Sequence, residues 1–181
     1  RALEDAGIDA SRVDLILCAT VTPDMPFPST ACFIQKKIGA MGAACLDLGA
    51  ACSGFLYALE TARQFVATGT FKTILVVGAE KLSSVVDWTD RNTCVLFGDA
   101  AGAAVLQHRA KSRGILGTVM GSDGRYADIL CLPGGGSKHP ITPENVREKL
   151  NTIKMSGKET YKFAIIAMEN AALAVLKKTG I

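Results

Sequence analysis

The chain has 181 residues, 49% of them hydrophobic, with 20 Lys and Arg against 17 Asp and Glu. That is enough for one good core and too weak a positive excess to argue for nucleic acid, the positives being scattered apart from Arg109 to Arg113. Mean hydropathy is high at +0.26, yet no apolar run approaches the ~18 residues of a membrane span, so no membrane partner is expected. Six cysteines lack CxxC pairing and neighbouring histidines, which excludes the usual metal sites; with no signal peptide in view they read as reduced thiols of a cytosolic protein.

In chain order, Ala2, Leu3 and Ala6 read as the tail of a helix closing at Gly7, so the chain is expected to begin inside an element. Val13 to Val21 is an almost continuous apolar run, the pattern of a strand buried on both faces. Three prolines rule out helix over Thr22 to Ser29, after which Ser29 can N-cap a helix from Thr30 to Ile38 that ends at Gly39. Ala44 to Leu48 fits a short buried strand. Phe55, Leu59, Ala62 and Val66 then recur at helical spacing until Gly69, and Thr73 to Gly78 is the next strand. Strand, helix and strand make a βαβ unit, which requires a parallel, right-handed crossover.

After Glu80 the stretch Ser83 to Thr93 is polar around Trp88, and Phe97 to Gly102 reads as a turn into a strand at Ala103 to Gln107. Gly114 to Met120 is a further candidate strand, so antiparallel members should join the sheet. Pro133 to Pro143 reads as a mobile loop. Ser156 and Glu159 offer a capping box for an amphipathic helix from Tyr161 to Lys178, with Phe163, Ile166, Leu173 and Leu176 inward and Gly180 as its cap; a further element is expected beyond it. The whole reads as α/β, one domain or half of a larger one.

Within Asp47-Leu48-Gly49-Ala50-Ala51-Cys52-Ser53-Gly54-Phe55, one cysteine stands among small residues at a strand-to-helix junction. Unpaired N–H groups at a helix N-terminus favour an anion and raise the thiolate fraction, while small neighbours leave room for a carbonyl substrate. Cys52 is therefore a candidate nucleophile; the competing reading is an ordinary core cysteine. Other signals carry less. Gly134 to Lys138 lacks the order of a phosphate loop, His108 and His139 fit solvated surface histidines, and Asp99 fits a residue that accepts backbone N–H groups.

Six segments occurring in order carry a resemblance: Phe27-Pro28-Ser29, Asp47 to Tyr57, Leu75 to Glu80, Asp90-Arg91-Asn92-Thr93, Leu96 to Ala104, and Met155 to Glu159. Together they resemble the N-terminal half of β-ketoacyl-acyl carrier protein synthase III, the initiating condensing enzyme of type II fatty acid synthesis. The resemblance implies a thiolase-like fold with a mixed, mainly parallel sheet and a buried nucleophile-bearing helix, residues 1–181 forming one N-terminal half with the second half absent. It makes Cys52 the acyl-accepting nucleophile, with Arg91 at the adenine end of coenzyme A. Phe97 and, opposite it, Met155, Gly157 and Tyr161 match the pantetheine tunnel, and Phe27 matches a residue that closes the partner's acyl pocket across a dimer interface. Acyl-CoA and malonyl-acyl carrier protein are the implied partners of a cytoplasmic homodimer, its expected interface the Phe27 loop and the strand Thr73 to Gly78. No cofactor or metal is implied, since coenzyme A and phosphopantetheine thioesters serve as substrates.

Asn92 and Ala100 stand where the family usually has glycine, and the family's histidine and asparagine belong to the second half. Two alternatives remain: a related ketosynthase III-like acyltransferase of secondary metabolism, or a catalytically incomplete scaffold.

Overall fold

The computed structural model describes residues 1–109 and 114–181, so most of the basic stretch Arg109 to Arg113 lies outside the described residues. Two compact units emerge: residues 1–80 with 100–115, and residues 81–99 with 116–181.

The first unit is built on β1 (Leu15–Ala19), whose five residues are all buried. β1 pairs in parallel with β2 (Ala44–Leu48) on one side and β3 (Thr73–Lys81) on the other, and β4 (Asp99–Gln107) lies outside β3. Side chains alternate across a strand, so the apolar run divides between two cores. Ile16 and Cys18 pack with Ala31 of helix α2 (Thr30–Ile38), while Leu15, Leu17 and Ala19 pack with Ala58 and Ala62 of α3 (Gly54–Ala67). A short helix, α1 (Ala2–Ala6), precedes them and ends at Gly7 in the left-handed region.

The strand is shorter than the apolar run, whose flanking residues Asp14 and Thr20 still bond through their backbone to the ends of β2 and β3. The Asp14 carboxylate accepts the Lys72 and Thr73 N–H groups. β2 corrects the expectation of a buried strand: it has a single neighbour, and Ala44 and Leu46 are exposed. β3 lies between β1 and β4, so both its backbone edges are taken and it cannot serve as a strand edge at a dimer interface. β4 also departs from expectation, since Asp99 to Gly102 is extended rather than turned; Asp99 accepts the Ser83 N–H at 2.8 Å and its hydroxyl at 2.6 Å. Gln107 Nε2 donates to Thr73 Oγ1 at 2.8 Å, which places the end of β4 beside the start of β3, as antiparallel neighbours require.

The second unit contains a two-stranded antiparallel ladder of β5 (Leu130–Cys131) and β6 (Lys154–Met155), the short helix α4 (Pro143–Arg147), and the long helix α5 (Gly157–Thr179). α5 ends at Gly180 as expected, but starts four residues before Tyr161, and the capping box does not form: the Ser156 side chain makes no cap bond. Of its expected inward face, Phe163 packs on Tyr126 with ring centroids 4.3 Å apart, whereas Ile166 and Leu173 are each 59% exposed. The strand expected at Gly114 to Met120 is absent; Thr118 gives its carbonyl to Lys178 Nζ instead of to a ladder. The Pro133 to Pro143 loop is tied down by Gly134 N–H to the Leu150 carbonyl at 2.7 Å and Gly135 N–H to the His139 carbonyl at 2.8 Å. Among the described residues no helix is long and apolar enough to cross a membrane.

Candidate active site

Two glycines set where the nucleophile candidate sits. A Cβ on Gly54 would lie 3.2 Å from Ala19 Cβ, and one on Gly78 would lie 3.1 Å from Phe55 Cδ2. Their lack of side chains lets the first turn of α3 rest directly on β1 and β3. The chain enters α3 through a 3-10 turn, Ala51–Ser53, so Cys52 lies just ahead of the helix rather than within it. Ala51 has φ +44°, a left-handed conformation that costs an L-residue about 1–2 kcal/mol. Such strain persists only where surrounding packing enforces it, and here it adjoins Cys52.

Of the six cysteines, Cys52 is the exposed one; Cys18 is buried and the other four are partly buried. The core-cysteine reading therefore fails for Cys52. Burial pushes the Cys18 thiol up to about 12, helped by the charges of Asp47 and Glu80. Burial, with Cys32 beside it, pushes Cys45 up to about 11.

Sequence reading missed two carboxylates at this end of the sheet. Asp47, on β2, accepts the Thr30 and Ala31 N–H groups at 2.6 and 3.0 Å. It thus caps α2 in place of Ser29, whose side chain makes no cap bond. A carboxylate suits that position because unpaired N–H groups and the helix dipole both favour negative charge. Glu80, at the end of β3, accepts the Val21 N–H at 2.9 Å and the Thr22 hydroxyl at 2.6 Å. It pins the root of the loop that carries Phe27, which is 83% exposed and joined to Pro28 by a cis peptide bond. The signal that could have found both is an acidic residue one position before the end of a largely apolar strand.

The remaining predicted site residues, Arg91, Phe97, Met155, Gly157 and Tyr161, all belong to the second unit. Their segments are stitched together by the Ile153 N–H to the Val85 carbonyl at 2.8 Å and by Lys149 Nζ to Asp87 at 2.7 Å. Asp90 accepts from the Asn92 N–H and side-chain amide and from the Thr93 hydroxyl, which hold its carboxyl below the usual range. Among the described residues no ion pair joins it to Arg91, which is exposed, as is Trp88. Phe97 is partly buried, Tyr161 is exposed, and a Cβ on Gly157 would touch Met155 Cε at 3.7 Å. His108 is exposed at the end of β4, and His139 contributes its carbonyl to the Gly135 turn. No cluster of three or more metal-ligating side chains occurs among the described residues. An open cleft of about 600 Å³, lined in part by Arg12, Thr68, Lys72 and His108, holds none of the predicted site residues.

Residues 46–124 match the family model of 3-oxoacyl-acyl-carrier-protein synthase III. The whole chain is 50% identical to the beta-ketoacyl-acyl-carrier-protein synthase III of Caldanaerobacter subterraneus subsp. tengcongensis, covering 55% of that relative. The chain belongs to this synthase III family. It is also 50% identical to the Geobacillus kaustophilus synthase III, covering 53% of it, so it spans about half the length of the curated relatives it matches and corresponds to their N-terminal portion. The crystal structure of the Aquifex aeolicus synthase III superposes on 99% of the chain and 54% of its own with a TM-score of 0.87 at 42% identity. A priming β-ketosynthase from the R1128 polyketide pathway gives 0.83 at 34% identity over 95% of this chain and 50% of its own. The thiolase-like α/β fold of the synthase III family, with its mostly parallel sheet, is the fold of this chain.

Proposed function

We propose that this chain is the nucleophile-bearing half of a condensing enzyme that starts type II fatty acid synthesis from an acyl-CoA primer and malonyl-acyl carrier protein. The observation that carries the reading is Cys52: exposed, set between strained Ala51 and the first turn of α3, on a chain about half-identical to synthase III enzymes. Its sulfur attacks the thioester carbonyl, backbone N–H groups at the turn stabilise the oxyanion, and the CoA thiolate leaves with the proton from the cysteine. Malonyl-acyl carrier protein then loses CO₂, and its enolate attacks acyl-Cys52 to release the 3-oxoacyl product. Arg91 holds the nucleotide end of CoA, where a guanidinium suits both adenine stacking and phosphate pairing. Phe97, Met155, Gly157 and Tyr161 line the pantetheine path, and Phe27 reaches a partner subunit in a cytoplasmic homodimer. The second half supplies the histidine and asparagine that hold the thioester oxygen during decarboxylation.

The test is incubation of the chain with acyl-CoA followed by peptide mass spectrometry. The acyl group is expected on Cys52 alone, absent in Cys52→Ala, with no 3-oxoacyl product. Acylation of another cysteine overturns the nucleophile assignment; robust condensation by these 181 residues overturns the division of labour. Likeness to the R1128 priming ketosynthase supports a second reading, acyl transfer in secondary metabolism, which would show as preference for a primer outside the fatty acid set.

A further inference from the structure

Building on the reading in which Phe27 of one subunit closes the acyl pocket of the other, we propose that Glu80 is the positioning residue that holds the Phe27 loop in place and thereby limits primer length. The β1–β3 ladder ends with Ala19 opposite Gly78. Two positions beyond Gly78 the Glu80 side chain takes over from the backbone: its Oε1 accepts the Val21 N–H at 2.9 Å, and its Oε2 accepts the Thr22 hydroxyl at 2.6 Å and, more loosely, the Thr20 hydroxyl at 3.5 Å. Thr20 Oγ1 in turn accepts the Thr22 N–H at 3.0 Å. One half-buried carboxylate therefore gathers three consecutive residues just where the chain leaves the sheet.

The far root of the loop is fixed separately. Asp47 accepts the Thr30 and Ala31 N–H groups, and Thr30 Oγ1 accepts the Asp24 N–H at 3.2 Å. Between the roots, Pro23, Pro26 and Pro28 each lock φ, so few torsions are left to absorb a movement at either end. A shift at Val21 is thus passed along the loop to Phe27 rather than damped within it. The side chains of Val21, Met25 and Phe27 stand exposed, as a segment that fills an apolar pocket requires. The clamp also adjoins the turn that carries Cys52, since a Cβ on Gly49 would lie 4.0 Å from the Thr20 carbonyl oxygen. Loss of the clamp felt through that contact would slow every primer alike, whereas a displaced Phe27 deepens the pocket and favours long primers selectively. The ratio of rates for a long and a short primer separates the two.

The experiment uses the 181-residue chain and follows acyl-Cys52 formation from equimolar acetyl-CoA and octanoyl-CoA by peptide mass spectrometry. In Glu80→Ala the octanoyl-to-acetyl ratio should rise about tenfold, the step that a single methylene makes in an apolar pocket. Glu80→Gln, which keeps an acceptor for the Val21 N–H, should hold the wild-type ratio. Phe27→Ala should raise the ratio as Glu80→Ala does, and the double variant should rise no further, because both changes act through one side chain. Amide exchange at Val21 and Thr22 should quicken in Glu80→Ala while β1 stays protected. Rates for both primers falling together at a constant ratio, or additive changes in the double variant, overturn the proposal. No acyl-Cys52 in the wild-type chain overturns the functional reading, and the gate with it; wild-type acylation with a ratio that Glu80→Ala leaves unchanged overturns the gate alone.

Discussion

The two compact units reach order by different means. In the first, β1 is sandwiched between two apolar layers, and Leu15, Ile16, Leu17, Ile74 and Val76 are essentially inaccessible to solvent. In the second, Val86 and Ile153 are the buried hydrophobic side chains among the described residues, while Tyr161, Ile166, Met168 and Leu173 of α5 stand exposed. Its coherence rests on polar turns: Asp87 with Lys149 and Thr89, Asp90 with Asn92 and Thr93, Asp99 with Ser83, and Asp123 with Arg125. The nucleophile candidate is thus mounted on the unit with an apolar core, and the proposed CoA-contacting residues on the unit held by exposed hydrogen bonds.

Truncations should widen that contrast. Leu17→Ala empties a site with no solvent access and should cost about 2–5 kcal/mol, read as a lower denaturation midpoint of the first unit. Gly134→Ala would set a Cβ 2.8 Å from the Leu150 carbonyl group, a backbone neighbour that cannot rotate aside. It should cost about 1–3 kcal/mol and speed amide exchange at Leu150 and Asn151 while leaving β1 unchanged. Asp47→Ala removes the α2 cap and should cost about 0.5–2 kcal/mol, seen as faster exchange at Thr30 and Ala31; unchanged protection there would mean that Ser29 caps after all.

Acid should separate the units without any mutation. Asp87, held by the Lys149 and Thr89 hydrogen bonds, and Asp123, held to about 2 by Arg125, are depressed, as are Asp90 and Asp99; all four lie in the second unit. A depressed carboxyl adds stability that is present above its unfolded value of 3.8 and is lost as pH falls through the folded value. Between pH 4 and 2 the second unit should therefore loosen first, by a modest and salt-sensitive amount because the cations paired with Asp87 and Asp123, Lys149 and Arg125, stand in solvent. Loss of β1 protection ahead of the Asp87 and Asp123 turns would contradict this. The smallest effect is expected from Ile166→Ala, which should stay within about 0.5 kcal/mol by thermal melting, since that side chain is 59% exposed.

Sequence by itself determined the parts that local chemistry controls. The apolar run around Leu17, the glycine that ends α2, the βαβ order and the small residues flanking Cys52 each constrain the chain within a few positions, so their elements stand where the pattern puts them. The ordered set of family segments likewise pointed to the synthase III family before any geometry was known. Tertiary structure alone decided which strand lies at an edge, because Ala44 to Leu48 is apolar apart from Asp47 and its single neighbour is seen only in the sheet order. It also decided the capping of α2, where a carboxylate 17 residues away outcompetes the adjacent serine. The strain at Ala51 and the extension of β4 through Asp99 are of the same kind. The edge position, the cap and the extension of β4 each depend on a partner distant in sequence, and periodicity within a short window carries no information about such partners.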